Sequence, residues 1–138
     1  MKTIGTDLFP REQNTMDVTV YNSVIVVRHS GPGTAADAEL LCHRMRREVE
    51  AIALTGSRPA ILHTSDDLTS ASREYATVFA NCITSISTHN PIHVAQVSKS
   101  YLRVLARLAM TLSNTEIIIF RTHGECVKYL QSLGYDID

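Results

Sequence analysis

Apolar residues change their period along the chain, and each change marks an element. Asp17 to Asn22 (DVTVYN) alternates, while Ser23 to His29 (SVIVVRH) is β-branched and almost continuously apolar. With Asn22-Ser23 as a tight turn, the two runs predict an antiparallel hairpin. Ser30-Gly31-Pro32-Gly33 then breaks the pattern. Thr34 follows as a helix cap, with Asp37 three residues on as in a capping box. The helix is expected to run to about Leu54, because Ala38, Leu41, Cys42, Met45, Val49 and Ile52 recur at three and four while charged residues take the other faces. Gly56 is its stop.

The same reading continues to the end. Arg58 to Thr64 (RPAILHT) is a short buried-type strand, and from about Ser70 the positions Tyr75, Val78, Phe79, Cys82, Ile83 and Ile86 mark a second amphipathic helix that His89-Asn90-Pro91 ends. Ile92 to Ser98 is a strand, Lys99 to Ser113 a helix on Leu102, Leu105, Ala106, Ala109 and Leu112, and Glu116 to Arg121 a strand. Thr122 caps a last helix carrying Cys126, Val127, Leu130 and Leu133, with Gly134 at its end. The order β-β-α-β-α-β-α-β-α predicts an α/β fold: a mixed, mostly parallel five-stranded sheet with one antiparallel edge strand, covered by four helices. Residues 1–15 read as an N-terminal extension and 16–138 as a single domain.

Composition narrows function by exclusion. Thirteen Lys plus Arg stand against 14 Asp plus Glu in 138 residues, so no strong field favours nucleic acid or an anionic membrane surface. No apolar run approaches the length of a membrane span, and Met1 to Gln13 lacks a signal-peptide core, which predicts a cytoplasmic protein. Cys42, Cys82 and Cys126 are far apart, odd in number and on apolar faces; they read as small core residues, neither a disulfide framework nor a zinc site. None of the six histidines pairs with another on a predicted common face, so no metal or other cofactor is expected. Fingerprints of phosphate loops, nucleophile elbows and zinc proteases are absent, and the chain reads as non-enzymatic.

Two polar joints remain as candidates for chemistry. His63 to Ser72 (HTSDDLTSAS) follows a strand whose carboxyl end lies where open α/β sheets bind ligands, which singles out His63, Asp66 and Asp67. Ser98, Lys99, Tyr101 and Arg103 leave the next strand at the same edge. If the two strands are neighbours, these seven residues border one cleft for an anionic metabolite or a lipid head group; the alternative is a solvated polar turn with Ser98 as a helix cap. Amides of Ser30 to Thr34 could hold an anion or merely open a helix. A hydrolase using Ser65 or Ser70 with His63 is a further alternative, one that demands a base and an oriented third group.

Ile92 to Leu133 (IHVAQVSKSYLRVLARLAMTLSNTEIIIFRTHGECVKYLQSL) resembles the second half of the SpoIIAA-like, STAS-type domains of bacteria. There a strand ends in a small polar turn with Lys or Arg, an Arg-containing Leu/Ala-rich helix follows, then a strand ending near Phe and a helix with an acidic start. The resemblance implies a compact βα domain, related to anti-sigma-factor antagonists and to lipid-binding CRAL-TRIO domains, that regulates through a protein partner such as a kinase or an anti-sigma factor. In the antagonists the joint after the central strand carries an Asp-Ser-Ser-Gly or Asp-Thr-Ser-Gly motif whose serine is phosphorylated. The matching place here is Ala71-Ser72-Arg73-Glu74, which keeps a serine and lacks the acidic residue before it and the glycine after it. Ser70 and Ser72 are therefore the candidate phosphoacceptors. Two function classes follow, a regulatory protein-interaction module and a small-ligand carrier, and the open edge of the hairpin allows a homodimer.

Overall fold

The computed structural model describes residues 17–137. The expected N-terminal extension lies outside them. Strand β1 (Asp17–Tyr21) turns through Asn22, whose φ of 56° is the left-handed conformation such a turn requires, into β2 (Val24–Gly33). Helix α1 (Ala35–Leu54) follows, then β3 (Ala60–Ala71), α2 (Arg73–Ile86), β4 (Ile92–Gln96), α3 (Ser100–Ser113), β5 (Ile118–Phe120) and α4 (His123–Ser132). The sheet order is β1-β2-β3-β4-β5, antiparallel at the first pair and parallel at the others. This is the mixed five-stranded α/β architecture that the sequence pattern predicts.

Each face of the sheet carries its own core. Ile25, Val27, Ile61, Ala95 and Val97 face α1, α2 and α3, while Val24, Ala60, Leu62 and Val94 meet Cys126, Val127 and Leu130 of α4. Every apolar position expected on α1 is buried. The Thr34 hydroxyl accepts the Asp37 amide at 3.2 Å, and Thr122 and Glu125 form a full capping box. On α3 the expected stripe is only half realised. Leu102 and Ala109 are buried, but Leu112 is 52% exposed.

Three expectations are corrected. Ser30 to Gly33 is not a break: it prolongs β2, pairing through two register shifts with Asp67 to Ala71. The segment is therefore extended strand opposite β3, and the turn expected there is not formed. HTSDDLTSAS is likewise mostly strand, since β3 continues to Ala71 and only Ser72 caps α2. Polar composition misleads here because backbone pairing, not side-chain burial, holds the tail. Finally, α1 and α2 lie side by side and join Cys42 to Cys82 as a disulfide, with Cα atoms 5.7 Å apart across 40 residues of sequence. Cys126 alone is a free buried thiol among the described residues, and burial, with Glu125 beside it, pushes it up to about 12.

Gly33 shows how tightly the β2 tail meets α2. A Cβ there would stand 2.9 Å from the Tyr75 ring and 3.2 Å from the Ser70 carbonyl oxygen. Gly33→Ala should therefore cost about 1–3 kcal/mol in urea unfolding; an unchanged midpoint would show that Tyr75 moves aside without loss.

Candidate functional site

The two polar joints do meet, but as a closed seam. Asp66 accepts from Gln96 Nε2 at 2.8 Å and from Ser98 Oγ at 2.7 Å. Those two bonds, with the Lys99 ammonium near, hold its carboxyl below the usual range against a modest opposing effect of burial. Lys99 Nζ donates to the Leu68 carbonyl at 3.0 Å, Tyr101 Oη to that of Thr69 at 2.9 Å, and Arg103 to the Ser98 carbonyl at 2.9 Å. Hydrogen bonds thus fill the place where an open anion cleft was expected. Ser98 serves Asp66, and the N-cap residue of α3 is Lys99, without a side-chain cap bond.

The other cleft candidates diverge. Asp67 turns outward to Arg28, with which it forms an ion pair at 2.6 Å, both side chains about half exposed; such pairs contribute roughly 0–1 kcal/mol. His63 points inward and is buried. Ser65 Oγ donates to the Gln96 carbonyl at 3.1 Å and Ser70 is exposed on the strand tail, so neither forms a nucleophile-base pair with His63. Ser72 is exposed at the start of α2, where its hydroxyl accepts the Tyr75 amide at 3.1 Å.

Beneath the seam lies a feature absent from the sequence reading. The parallel register sets Val27 against His63 and Ile61 against His93, which places three histidines of β2, β3 and β4 on one sheet face. Tyr75 Oη pairs with His29 Nδ1, and His29 Nε2 meets His63 Nδ1 at 3.4 Å. His63 in turn stacks on His93, with ring centroids 5.9 Å apart and planes within 9°. Among the described residues, His63 Nε2 and both ring nitrogens of His93 have no hydrogen-bond partner. Cross-strand register would have been the signal: all three residues share the parity of the inward-facing Val27, Ile61 and Ala95.

Burial keeps these rings neutral. It lowers His29 and His93 to about 4, and it lowers His63 well below the ordinary value, with His29 and His93 adding to the effect. A cavity of about 80 Å³ adjoins the row, walled by His63, Leu68, Tyr75, Phe79, Leu105 and Ala109 among others. Among the described residues no group of three His, Cys, Asp or Glu side chains is arranged to hold a metal ion, and no helix is long and apolar enough to cross a membrane.

Comparison with solved structures identifies the fold. The anti-sigma factor antagonist SpoIIAA in its unphosphorylated form matches with a TM-score of 0.61 at 11% identity, covering 89% of this chain and 99% of that one. The NMR structure of TM1081 matches with a TM-score of 0.58 at 16% identity, over 83% and 86% of the two chains. SLC26A9 matches with a TM-score of 0.56 at 9% identity, over 96% of this chain and 23% of its own. No family model and no curated protein matches the sequence. The fold is therefore the SpoIIAA-type, STAS-like one.

The histidine row has a measurable consequence for stability. An unfolded chain protonates its histidines near 6.5, whereas the folded protein keeps His29 and His93 neutral down to about 4. The unfolded state thus binds more protons in that window. Stability should be full above about pH 6.5 and fall towards pH 4 by about 1.4 kcal/mol per pH unit for each histidine. Urea unfolding at pH 7.5 and 5.0 measures this, and His93→Leu should flatten the dependence by one histidine's share. A wild-type profile without slope would mean that the rings are protonated or solvated in the fold.

Proposed function

We propose that this protein is a non-enzymatic regulatory module that binds a protein partner through the surface around the start of α2, with Ser72 as the phosphoacceptor and Ser70 as its alternate. The observation that carries the reading is the position of Ser72: exposed, at the joint after β3, with its hydroxyl accepting the Tyr75 amide in the first turn of α2. A phosphate there gains from unpaired amides and the helix dipole. Arg73 adjoins it in sequence. The structural neighbour SpoIIAA, described as an anti-sigma factor antagonist in its unphosphorylated form, supports a switch of this kind.

A partner surface is available on the adjacent helix. Tyr101, Val104 and Leu112 of α3 are 48%, 62% and 52% exposed, at helical spacing that sets them on one stripe with half-buried Leu108. The partner in this proposal is a kinase or an anti-sigma-like protein, the setting is cytoplasmic, and the open edge of β1 is where a second copy would add. A reducing setting would hold Cys42 and Cys82 as thiols.

Capping and switching are separable at Ser72. Ser72→Ala should cost about 1 kcal/mol of stability, whereas Ser72→Asp, an equally good cap, should keep it while altering partner association as a phosphate would. Mass spectrometry of protein from its own host should find phosphate on the peptide holding Ser70 and Ser72. Unmodified peptide in every growth state, with partner association indifferent to Ser72→Asp, would sink the proposal.

A further inference from the structure

Cys42 of α1 and Cys82 of α2 are bonded to each other, and two further observations set that bond apart from a structural staple. Both cysteines belong to an apolar cluster that also holds Met45 and Val49 of α1 and Phe79 and Ile83 of α2. A domain of this size with that core needs no staple to fold. Two thiols would pack in the same place as small apolar residues, so the fold accommodates either state of the pair. The pair also borders the outside. Cys42 and Cys82 line an open groove of about 390 Å³, together with the polar side chains of Glu39, His43, Arg46 and Asn81. Disulfides that a dissolved thiol can reach exchange with it, whereas sealed ones resist.

We infer that Cys42 and Cys82 form a reversible thiol–disulfide exchange site whose co-substrate is a low-molecular-weight thiol, with its disulfide, of the glutathione class. Size favours such a reactant: the two cysteines are only 7% and 2% exposed, so the entering sulfur must come on a slender molecule that the groove admits. A dithiol carried on a broad protein surface lacks that reach. Cys126 takes no part, because it is buried on the opposite face of the sheet beside Val127 and Leu130.

Reduction proceeds in two displacements. A small thiolate bonds to Sγ of Cys42, the less buried of the two residues, and breaks the Sγ–Sγ bond; Cys82 leaves as a thiolate and takes a proton from solvent. A second small thiolate then bonds to the sulfur of the first, and Cys42 leaves as a thiolate that is protonated in turn. Two small thiols are thereby oxidised to one disulfide while the protein's disulfide is reduced to two thiols. Oxidation runs the same steps backwards from the small disulfide. The closed bond ties α1 to α2 across 40 residues of sequence that include all of β3 and Ser72, which makes the oxidised form the more stable one. This site does not depend on a phosphorylated Ser72.

Glutathione buffers of graded reduced-to-oxidised ratio test the site on the folded protein. Acid quenching, alkylation and peptide mapping by mass spectrometry read the fraction of cross-linked Cys42–Cys82 peptide. That fraction should rise and fall reversibly with the ratio, while Cys126 carries no glutathione at any ratio. The oxidised form should melt about 10 °C above the reduced one, and the double variant Cys42→Ser with Cys82→Ser should melt alike in both buffers. Cys82→Ser alone should trap glutathione on Cys42. A cross-link that survives every ratio until the protein is denatured, or two alkylated thiols at every ratio, overturns the inference. The wild-type titration decides even if a variant fails to fold.

Discussion

The pairing of β2 with β3 is the constraint on which the rest depends. It runs from Val24 opposite Ala60 to Gly33 opposite Ala71, whereas β4 stops at Gln96 opposite Thr64. The overshoot carries the chain past the sheet before α2 begins and so decides where Ser72 stands. It also sets His29 beside His63 and lets Tyr75 descend over Gly33, where the lack of a Cβ leaves room for the ring. Helix position, histidine row and cavity wall all follow from one backbone ladder.

That ladder brings polar groups into a core that would be more stable without them. Each buried ring nitrogen without a partner forfeits a hydrogen bond to water, a cost of about 1–3 kcal/mol, and His63 and His93 together hold three such atoms. Neutrality limits the cost. A charged imidazole in the same place would need a counter-ion, and Asp66 and Asp67, the carboxylates that follow His63 on β3, are turned to Gln96, Ser98 and Arg28. Local rules for a good core fail at this point while they hold elsewhere in the fold, and such failures concentrate at functional places.

Element order, caps and the core face of α1 were legible in the sequence because they depend on short-range spacing: Thr34 with Asp37, Thr122 ahead of the last helix, and the run from Ala38 to Ile52. The tail of β3 was not, because nothing in Asp66 to Ala71 favours a strand except its pairing with Ser30 to Gly33, and Gly-Pro-Gly there argues locally for a break. The Cys42–Cys82 bond and the histidine row escaped for the same reason. Both depend on which elements become neighbours and in what register, and one sequence read along its length does not contain that. The seam residues were gathered from strand ends alone, which located Asp66, Ser98, Lys99 and Tyr101 near one another but not their engagement with each other.

Those seam residues also answer a hazard of the overshoot. Past Thr64, β3 has β2 on one side only, so its other edge would present unpaired carbonyls to any passing strand. Lys99 and Tyr101 occupy the carbonyls of Leu68 and Thr69 with side chains instead of backbone. The start of α3 thereby stands in for a missing sixth strand, and the protein keeps a long polar ribbon in solution without offering it as a template for aggregation.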